Sequence, residues 1–518
     1  MRRAENRRSF LKTVAAIPIL APYVSRLPRP SAAARRFDPN FGPAHEALRA
    51  LSAGVISSRE LLETTYSRIK QYNPRLNAFL TLMEEQARER GRLADQDRAA
   101  GKIWGPLHGL PIVIKDAFET AGVRTTCGSK TLEKYVPKED AAAVARLKKA
   151  GAIVMGKTNM PEFAGDLQSY NEIAGTANNP WDTQRTPGGS TGGGAACIAA
   201  GIGFLELGSD IGGSIRTPSH FCGIYGHKPT LNVVPMDGHI PPPPGTEPTT
   251  PDLAVAGPMA RSARDLALQL EVMAGPVSKD SIAYRWNLPS ARGFSLRDYR
   301  IGYVLDDPFC PVGADVLGVL SGAIDALRKT GLKLVQGWPK GFNPQDGFET
   351  YVRLLAAVVG PGMGEEQLGI IQQGIGKPWG NYARGWLDGV NLSHRQWIGL
   401  TEGRLRTRVI WEEYFKTCDA FLMPENMVPA FPHNQKLTFF ERKVSTPEGD
   451  RLYADMLKWI SPATLSGCPA TVAPVGRTKA NLPVGIQIMG PYLEDATSID
   501  IAGRVTEIIG GFEPPPGY

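Results

Sequence analysis

The sequence predicts one large domain with an α/β fold, in which helices cover both faces of a mixed β-sheet. Three observations lead to this prediction. Short apolar runs at 110–114, 152–155 and 204–207 have the length of buried strands, and a helical pattern at 141–150 separates the first two. Apolar residues make up 42 % and charged residues 21 % of the 518 residues, as in an ordinary globular protein. Compact apolar runs return after residue 465, so both ends of the chain are expected to share one core.

The other elements are expected in the following order. Ser57 and Glu60 have the spacing of a capping box, and apolar residues at helical spacing follow, so a helix should begin after Ser57. A second helical pattern lies near 83–99, and Ser262 is a good N-cap for a helix through Leu270. Later helices are expected near 315–329, 399–416 and 497–508, a strand at 484–489, and long polar loops in the rest of 275–455.

The positive charge of the chain is concentrated at its N-terminus. The net charge is +7, of which residues 1–34 carry +6 and residues 35–518 carry +1. A body so close to neutral gives no electrostatic sign of a nucleic-acid partner. The run NRRSFLK at 6–12, the weakly apolar stretch after it and the alanines at 32–34 resemble a twin-arginine export signal.

We therefore expect residues 1–34 to be a signal peptide and the protein to be periplasmic or secreted. A basic disordered tail is the alternative. The apolar stretch of this segment is short and interrupted by proline, so no stable membrane insertion is expected.

The six cysteines do not have the spacing of a metal site, and the chain shows no cluster of histidine, cysteine and aspartate at ligand spacing. No metal and no organic cofactor are therefore expected. Because twin-arginine substrates cross the membrane folded, buried free thiols are favoured over disulfides.

Two glycine-rich turns, each with a serine, are the most informative feature. They read PGGSTGGG at 187–194 and LGSDIGGSIRTP at 207–218. Glycines permit backbone conformations that bring several N–H groups towards one anion. A phosphate loop is one alternative, but the known phosphate-loop patterns are missing at both turns. The other alternative is a purely structural role for these turns, and it is less favoured because there are two of them and each contains a serine.

A serine nucleophile needs a base, and the histidines offer no motif for one. None of the seven stands in a nucleophile elbow or a zinc-protease pattern, although His220 lies close to Ser214 in sequence. Lys115 ends the apolar run at 110–114, where loss of water would lower its pKa and make it a base. A lysine that reaches to solvent at a strand end is the alternative, and the residues alone favour it.

The two serine turns and the Lys115 strand closely resemble the amidase signature family. Further stretches are similar too, over about residues 40–510: GKTNMPEF at 156–163, NNPWD at 178–182, HKPT at 227–230, GPMARS at 257–262 and LPVGIQ at 482–487. The resemblance implies a catalytic core at about 105–270, a variable substrate region at about 275–455 and a return to the core at about 456–515.

The resemblance also implies a catalytic triad of Lys115, Ser190 and Ser214. In the family, the peptide bond that corresponds to Gly189–Ser190 is cis, and Ser190 would relay a proton between Ser214 and Lys115. The backbone N–H groups of Ile211, Gly212, Gly213 and Ser214 would form an oxyanion hole. Asp210 and Arg216 flank this loop and are expected to brace it.

Two positions differ from the family pattern. Thr191 stands where a second serine is common, and its hydroxyl could still bond to Lys115. His227 stands where an apolar residue is usual before Lys-Pro-Thr. Neither change removes a member of the triad.

The main functional expectation is an amidohydrolase that cleaves a linear carboxamide into an acid and ammonia or an amine. A hydrophobic or aryl amide is weakly preferred, because Phe163, Tyr170, Trp379 and Trp397 could line a pocket; ordinary core packing of these aromatics is the equal alternative. A homodimer is compatible with the resemblance. The alternatives are the A-type component of a glutamine-dependent amidotransferase, and a non-catalytic exported binding protein with the same fold.

Overall fold

An eleven-stranded mixed β-sheet organises the protein in the computed structural model, which describes residues 37–245, 251–277 and 279–518. Residues 38–518 form one compact unit. The expected signal peptide at 1–34 lies outside the described residues. Within them the fold class is confirmed, since one large unit contains a mixed sheet and 14 α-helices.

Fifteen strands are present among the described residues. They are β1 Phe79–Leu82, β2 Pro111–Lys115, β3 Ile153–Thr158, β4 Tyr170–Asn171, β5 Gly175–Thr176, β6 Leu205–Asp210, β7 Tyr225–Lys228, β8 Val255–Ala260, β9 Arg300–Tyr303, β10 Lys333–Gln336, β11 Ala420–Pro424, β12 Lys443–Thr446, β13 Gly449–Leu452, β14 Ala470–Arg477 and β15 Pro483–Met489. The main sheet has the order β1-β3-β2-β6-β8-β7-β14-β15-β11-β9-β10, and β4–β5 and β12–β13 form two small hairpins.

The helices account for most of the remaining ordered backbone. They are α1 Ala44–Ser52, α2 Ser58–Leu76, α3 Glu84–Ala99, α4 Ala142–Lys149, α5 Gly192–Ala199, α6 Arg216–Cys222, α7 Ala263–Met273, α8 Ala314–Lys329, α9 Pro344–Val359, α10 Glu365–Gln373, α11 Gly380–Val390, α12 His394–Tyr414, α13 Leu457–Ser466 and α14 Asp495–Ile509.

Local sequence signals fix several of these elements where they were predicted. The Ser57 hydroxyl accepts a hydrogen bond from the Glu60 N–H, and the Glu60 side chain accepts one from the Ser57 N–H, so the capping box that begins α2 is confirmed. The Ser262 hydroxyl caps α7 by accepting a hydrogen bond from the N–H of Asp265. The apolar runs at 110–114, 152–155 and 204–207 fall in or beside β2, β3 and β6.

The middle of the chain is more regular than its sequence indicates. Long polar loops were expected in much of 275–455, but this region also forms α9, α10 and α11. Its strands β9, β10 and β11 extend the main sheet beyond β15, where β11 pairs antiparallel with β15 and parallel with β9. These strands are only four or five residues long, too short to show a clear periodicity.

The centre of the sheet determines where chemistry can take place. Strand β2 runs parallel to both of its neighbours, β3 and β6. The carboxyl ends of parallel strands meet at one edge of a sheet, so Lys115 at the end of β2 lies close to Ser209 and Asp210 at the end of β6.

The six cysteines are all buried and free, as expected. Among the described residues, no helix combines the length and the apolar character that crossing a bilayer requires.

Candidate active site

Lys115 is completely buried at the carboxyl end of β2, where every residue of the strand is buried. Its Nζ lies 2.6 Å from the Ser190 Oγ and 2.9 Å from the Ser209 Oγ. Burial lowers the pKa of Lys115 to about 8, although Cys127 and Asp210 act in the opposite direction. The lysine therefore does not reach out to solvent, and it has hydroxyl partners that can exchange a proton with it.

Ser190 approaches Lys115 from the first glycine-rich turn. The Gly189–Ser190 peptide bond is cis, as the family resemblance implied. A Cβ atom on Gly189 would lie 2.6 Å from the backbone N of Gln168, so only glycine fits against this neighbouring segment. Helix α5 begins at Gly192, directly after the turn. The Ser190 hydroxyl is thus held on the buried side of the turn, against Lys115.

Ser214 lies in the second turn, between the end of β6 and the start of α6. Its backbone carbonyl accepts a hydrogen bond of 3.2 Å from the N–H of Thr191, which places it beside Ser190. Gly213 has a φ of 92°, a conformation that a side chain would strain. Ser214 is 5 % exposed, and its hydroxyl forms no hydrogen bond to another described residue. This hydroxyl is therefore not committed to another side chain, as a nucleophile requires.

A buried ion pair holds the second turn in shape. Arg216 donates to Asp210 from Nε at 3.0 Å and from Nη2 at 2.8 Å, and neither side chain is exposed. The Asp210 carboxylate also accepts from the backbone N–H groups of Gly213 and Ile215. Arg216 contacts the far side of the core as well, through the Gln487 side chain at 2.7 Å. These contacts join both ends of the turn to the protein interior, and in this way the pair braces the loop.

The backbone amides of the loop differ from the expectation at one position. The Gly213 N–H donates to Asp210 Oδ1 at 3.0 Å and is not available to an oxyanion in this state. The N–H groups of Ile211, Gly212 and Ser214 have no such partner among the described residues. The Ile211 carbonyl accepts a hydrogen bond of 2.9 Å from the Tyr351 hydroxyl, which fixes the start of the loop.

Thr191 does not form the hydrogen bond to Lys115 that its position in the sequence allowed. Its hydroxyl donates to the Ser209 carbonyl at 3.5 Å and does not contact Lys115. Ser209 occupies that place instead, and its Oγ lies 2.9 Å from Nε2 of His239. Sequence reasoning missed both residues. Ser209 could have been found as the hydroxyl residue next to the last position of β6, but His239 stands in no recognisable motif.

A cluster of polar and aromatic side chains from distant segments lies near Gly189. The Asp166 carboxylate accepts from Arg442 at 2.6 Å, from the Tyr453 hydroxyl at 2.6 Å and from the Tyr170 hydroxyl at 2.8 Å. Asp166 and Arg442 are both buried. Of the four aromatic residues that were predicted to line a pocket, Tyr170 alone belongs to this cluster.

The other three aromatics pack elsewhere. Phe163 packs on a small apolar cluster that includes Cys127, and Trp379 stacks on Phe440 with ring centroids 5.7 Å apart. Trp397 is 39 % exposed on α12. Packing is therefore the role that the structure shows for Phe163 and Trp379, whereas Trp397 lies on the surface.

His227 is a buried structural residue. Its Nδ1 lies 2.9 Å from the Thr471 hydroxyl and its Nε2 lies 3.1 Å from Asp495. Across the described residues, no cluster of His, Cys, Asp and Glu has the geometry to hold a metal ion.

The family profile described as Amidase matches residues 60–499, which include every site residue above. The chain belongs to the amidase family. A curated relative, the A subunit of the glutamyl-tRNA(Gln) amidotransferase from Rhodopirellula baltica, is 34 % identical over 511 residues, covering 92 % of this chain and 98 % of the relative.

Solved amidase-family structures share this fold. The A subunit of the glutamyl-tRNA(Gln) amidotransferase from Thermotoga maritima has a TM-score of 0.72 and 25 % identity, covering 92 % of this chain and 98 % of that one. A bacterial aryl acylamidase has a TM-score of 0.78, with 92 % and 99 % covered. Its 22 % identity supports the fold alone.

Proposed function

We propose that this amidase-family protein cleaves a carboxamide through an acyl-enzyme on Ser214, with Ser190 as proton relay and Lys115 as base. The observation that carries the proposal is the 2.6 Å contact between Lys115 Nζ and Ser190 Oγ in a completely buried position. A pKa of about 8 leaves a useful fraction of Lys115 neutral near neutral pH. An ordinary exposed lysine would be protonated there.

The steps follow from this arrangement. The Ser214 Oγ forms a bond to the amide carbonyl carbon; its proton passes to Ser190, while the Ser190 proton passes to the lone pair of Lys115 Nζ. The tetrahedral oxyanion is stabilised by loop N–H groups, with Ile211, Gly212 and Ser214 as the uncommitted donors. The carbon–nitrogen bond then breaks, and the leaving nitrogen takes the proton back from Lys115 through Ser190. Water attacks the resulting ester and releases the acid and the Ser214 hydroxyl.

A fluorophosphonate probe and a panel of amides test the nucleophile and the base. The probe should label wild-type protein, and neither Ser214→Ala nor Lys115→Met should be labelled at a comparable rate. Lys102→Met is the matched control, because Lys102 is exposed and should leave labelling unchanged. If Ser214→Ala and Lys115→Met both keep wild-type turnover on every amide cleaved, the assignment is wrong. A wild-type protein that is never labelled would favour a non-catalytic binding protein.

The second candidate is the A-type component of a glutamine-dependent amidotransferase, and the comparisons with curated proteins favour it over a stand-alone amidase. Relatives of that name are 34 % and 32 % identical, with 98 % and 96 % of their own length covered. The same acyl-enzyme chemistry would then act on glutamine and release ammonia to a partner protein. The chain purified alone should be assayed without ATP or tRNA. Selective hydrolysis of glutamine supports the amidotransferase component, whereas rapid cleavage of aryl or aliphatic amides with glutamine inert supports the stand-alone hydrolase.

Export and assembly are further parts of the proposal. The twin-arginine pattern at 6–12 supports export of the folded protein, and substitution of both arginines by lysine should retain it in the cytoplasm. A homodimer is the assembly proposed for a stand-alone amidase, and light scattering of the purified chain measures it.

A further inference from the structure

Lys115 has a second hydroxyl neighbour that the mechanism does not use. The Ser209 Oγ lies 2.9 Å from Lys115 Nζ, on the strand next to β2. The same Oγ lies 2.9 Å from Nε2 of His239, and Nδ1 of His239 lies 3.0 Å from the Pro241 carbonyl oxygen. Hydrogen-bond contacts therefore connect Pro241 through His239 and Ser209 to Lys115 in a chain, and the last three of these residues are buried.

The direction of each hydrogen bond in this chain is determined. A carbonyl oxygen only accepts, so Nδ1 of His239 must carry the hydrogen that bonds to Pro241. Burial and the neighbouring Lys115 lower the pKa of His239 to about 3, so the ring is neutral and its Nε2 is an acceptor. The single hydrogen of the Ser209 hydroxyl therefore points to His239, and the Ser209 oxygen can only accept from Lys115.

This direction matters to Lys115, because a neutral amine has two hydrogens and one lone pair. If the Ser209 hydroxyl could turn, its hydrogen would compete for that lone pair. Because the hydrogen is already used by His239, Lys115 donates to Ser209, and its lone pair is left for Ser190 at 2.6 Å. We propose that His239, acting through Ser209, is a positioning residue that keeps the lone pair of Lys115 directed at Ser190. The inference rests on the proposed role of Lys115 as base.

The backbone supports a fixed geometry for His239. The N–H of Ile240 donates to the Ala117 carbonyl at 2.7 Å, and the N–H of Glu119 donates to the Gly238 carbonyl at 2.9 Å. The segment that carries His239 is thus tied to the residues directly after Lys115. The His239 ring also packs edge-on against Phe118, with ring centroids 5.0 Å apart. The histidine and the lysine therefore keep their relative position through a shared piece of backbone.

A double-mutant cycle, read by the rate of fluorophosphonate labelling of Ser214, tests the proposal. His239→Phe keeps a planar ring against Phe118 but offers Ser209 no acceptor, so the Ser209 hydroxyl can take the lone pair of Lys115. We expect labelling to slow by about 10- to 100-fold, less than the loss of the general base itself would cost, because Lys115 is still present. Ser209→Ala removes the competing hydroxyl, so its own loss should be smaller.

The combination His239→Phe with Ser209→Ala should be labelled at the rate of Ser209→Ala alone, and therefore faster than His239→Phe alone. His239→Gln, whose amide oxygen can accept from Ser209, should recover most of the wild-type rate. Independent effects of the two substitutions would instead give losses that multiply in the double variant, and a role of the ring in packing alone predicts no recovery by glutamine. His394→Leu, on the exposed start of α12, is the matched control for loss of a histidine.

The outcomes separate this inference from the proposed function. Labelling of Ser214→Ala at the wild-type rate would overturn both. Ser214-dependent labelling with a wild-type rate for His239→Phe, or with multiplied losses in the double variant, would overturn the positioning role alone. Thermal melting identifies a variant that misfolds; His239→Leu makes the same prediction and replaces His239→Phe in that case.

Discussion

Lowering the pH should slow the acylation of Ser214 in proportion to the loss of neutral Lys115. The base in the proposed mechanism is the uncharged amine, and protonation removes the lone pair that receives the Ser190 proton. Complete burial lowers the pKa of this amine to about 8, instead of its usual value of 10.5. Activity should therefore fall as the pH decreases from mildly alkaline to neutral.

The size of the effect follows from that pKa. The neutral fraction of Lys115 is about one half at pH 8, about one tenth at pH 7 and about one hundredth at pH 6. The second-order rate of acylation should therefore rise about tenfold per pH unit up to pH 7 and level off above about pH 9. The buried histidines do not produce this inflection: the pKa of His220 is about 4 and that of His239 about 3, so both stay neutral over the range.

Single-turnover labelling of Ser214 by a fluorophosphonate, measured from about pH 6 to pH 10, reports acylation without product release. The same series with Ser214→Ala gives the background reaction at each pH, and intrinsic fluorescence verifies that the protein stays folded. A flat profile would refute Lys115 as the base. An inflection near 6.5 that disappeared on substitution of a histidine would refute it too, and would point to imidazole.

Three further predictions concern stability. Because the pKa of Lys115 is lower in the folded protein than its usual 10.5, the unfolded chain binds more protons between about pH 8 and pH 10.5. Lys115 should therefore make the free energy of unfolding rise with pH there, by about 3 kcal/mol at most. In urea titrations Lys115→Met should lose this contribution and keep the rise that the lowered pKa of the buried Lys228 adds. Asp210→Asn leaves Arg216 buried and uncompensated and should lower the free energy of unfolding by about 3–5 kcal/mol in urea, whereas a loss below about 1 kcal/mol would contradict the bracing role. Ser57→Ala removes half of the capping box and should cost about 1 kcal/mol in the same assay. Labelling of Ser214 should be unchanged, because the cap at the start of α2 forms none of the contacts at Ser214.

The sequence was informative where the signal is local or where one strand leads directly to a functional residue. The capping box of α2 and the apolar runs of β2, β3 and β6 each depend on neighbours along the chain, and each was predictable. Lys115 and the turn of Ser214 follow β2 and β6, which are adjacent and parallel, so the topology brings them to one edge. Residue chemistry alone favoured a solvent-facing lysine. The family resemblance, and then the burial of Lys115, changed that interpretation.

The rest of the site depends on contacts between residues far apart in the chain. The Tyr351 hydroxyl bonds to Ile211 across 140 positions, and Arg442 reaches Asp166 across 276. No periodicity or motif relates such residues, because only the folded chain brings them together. The same reasoning explains why His239 was not recognised. Its effect on Lys115 depends on which ring nitrogen carries the hydrogen. The carbonyl of Pro241, two residues further along the chain, decides this, and only the folded backbone places that carbonyl beside the ring.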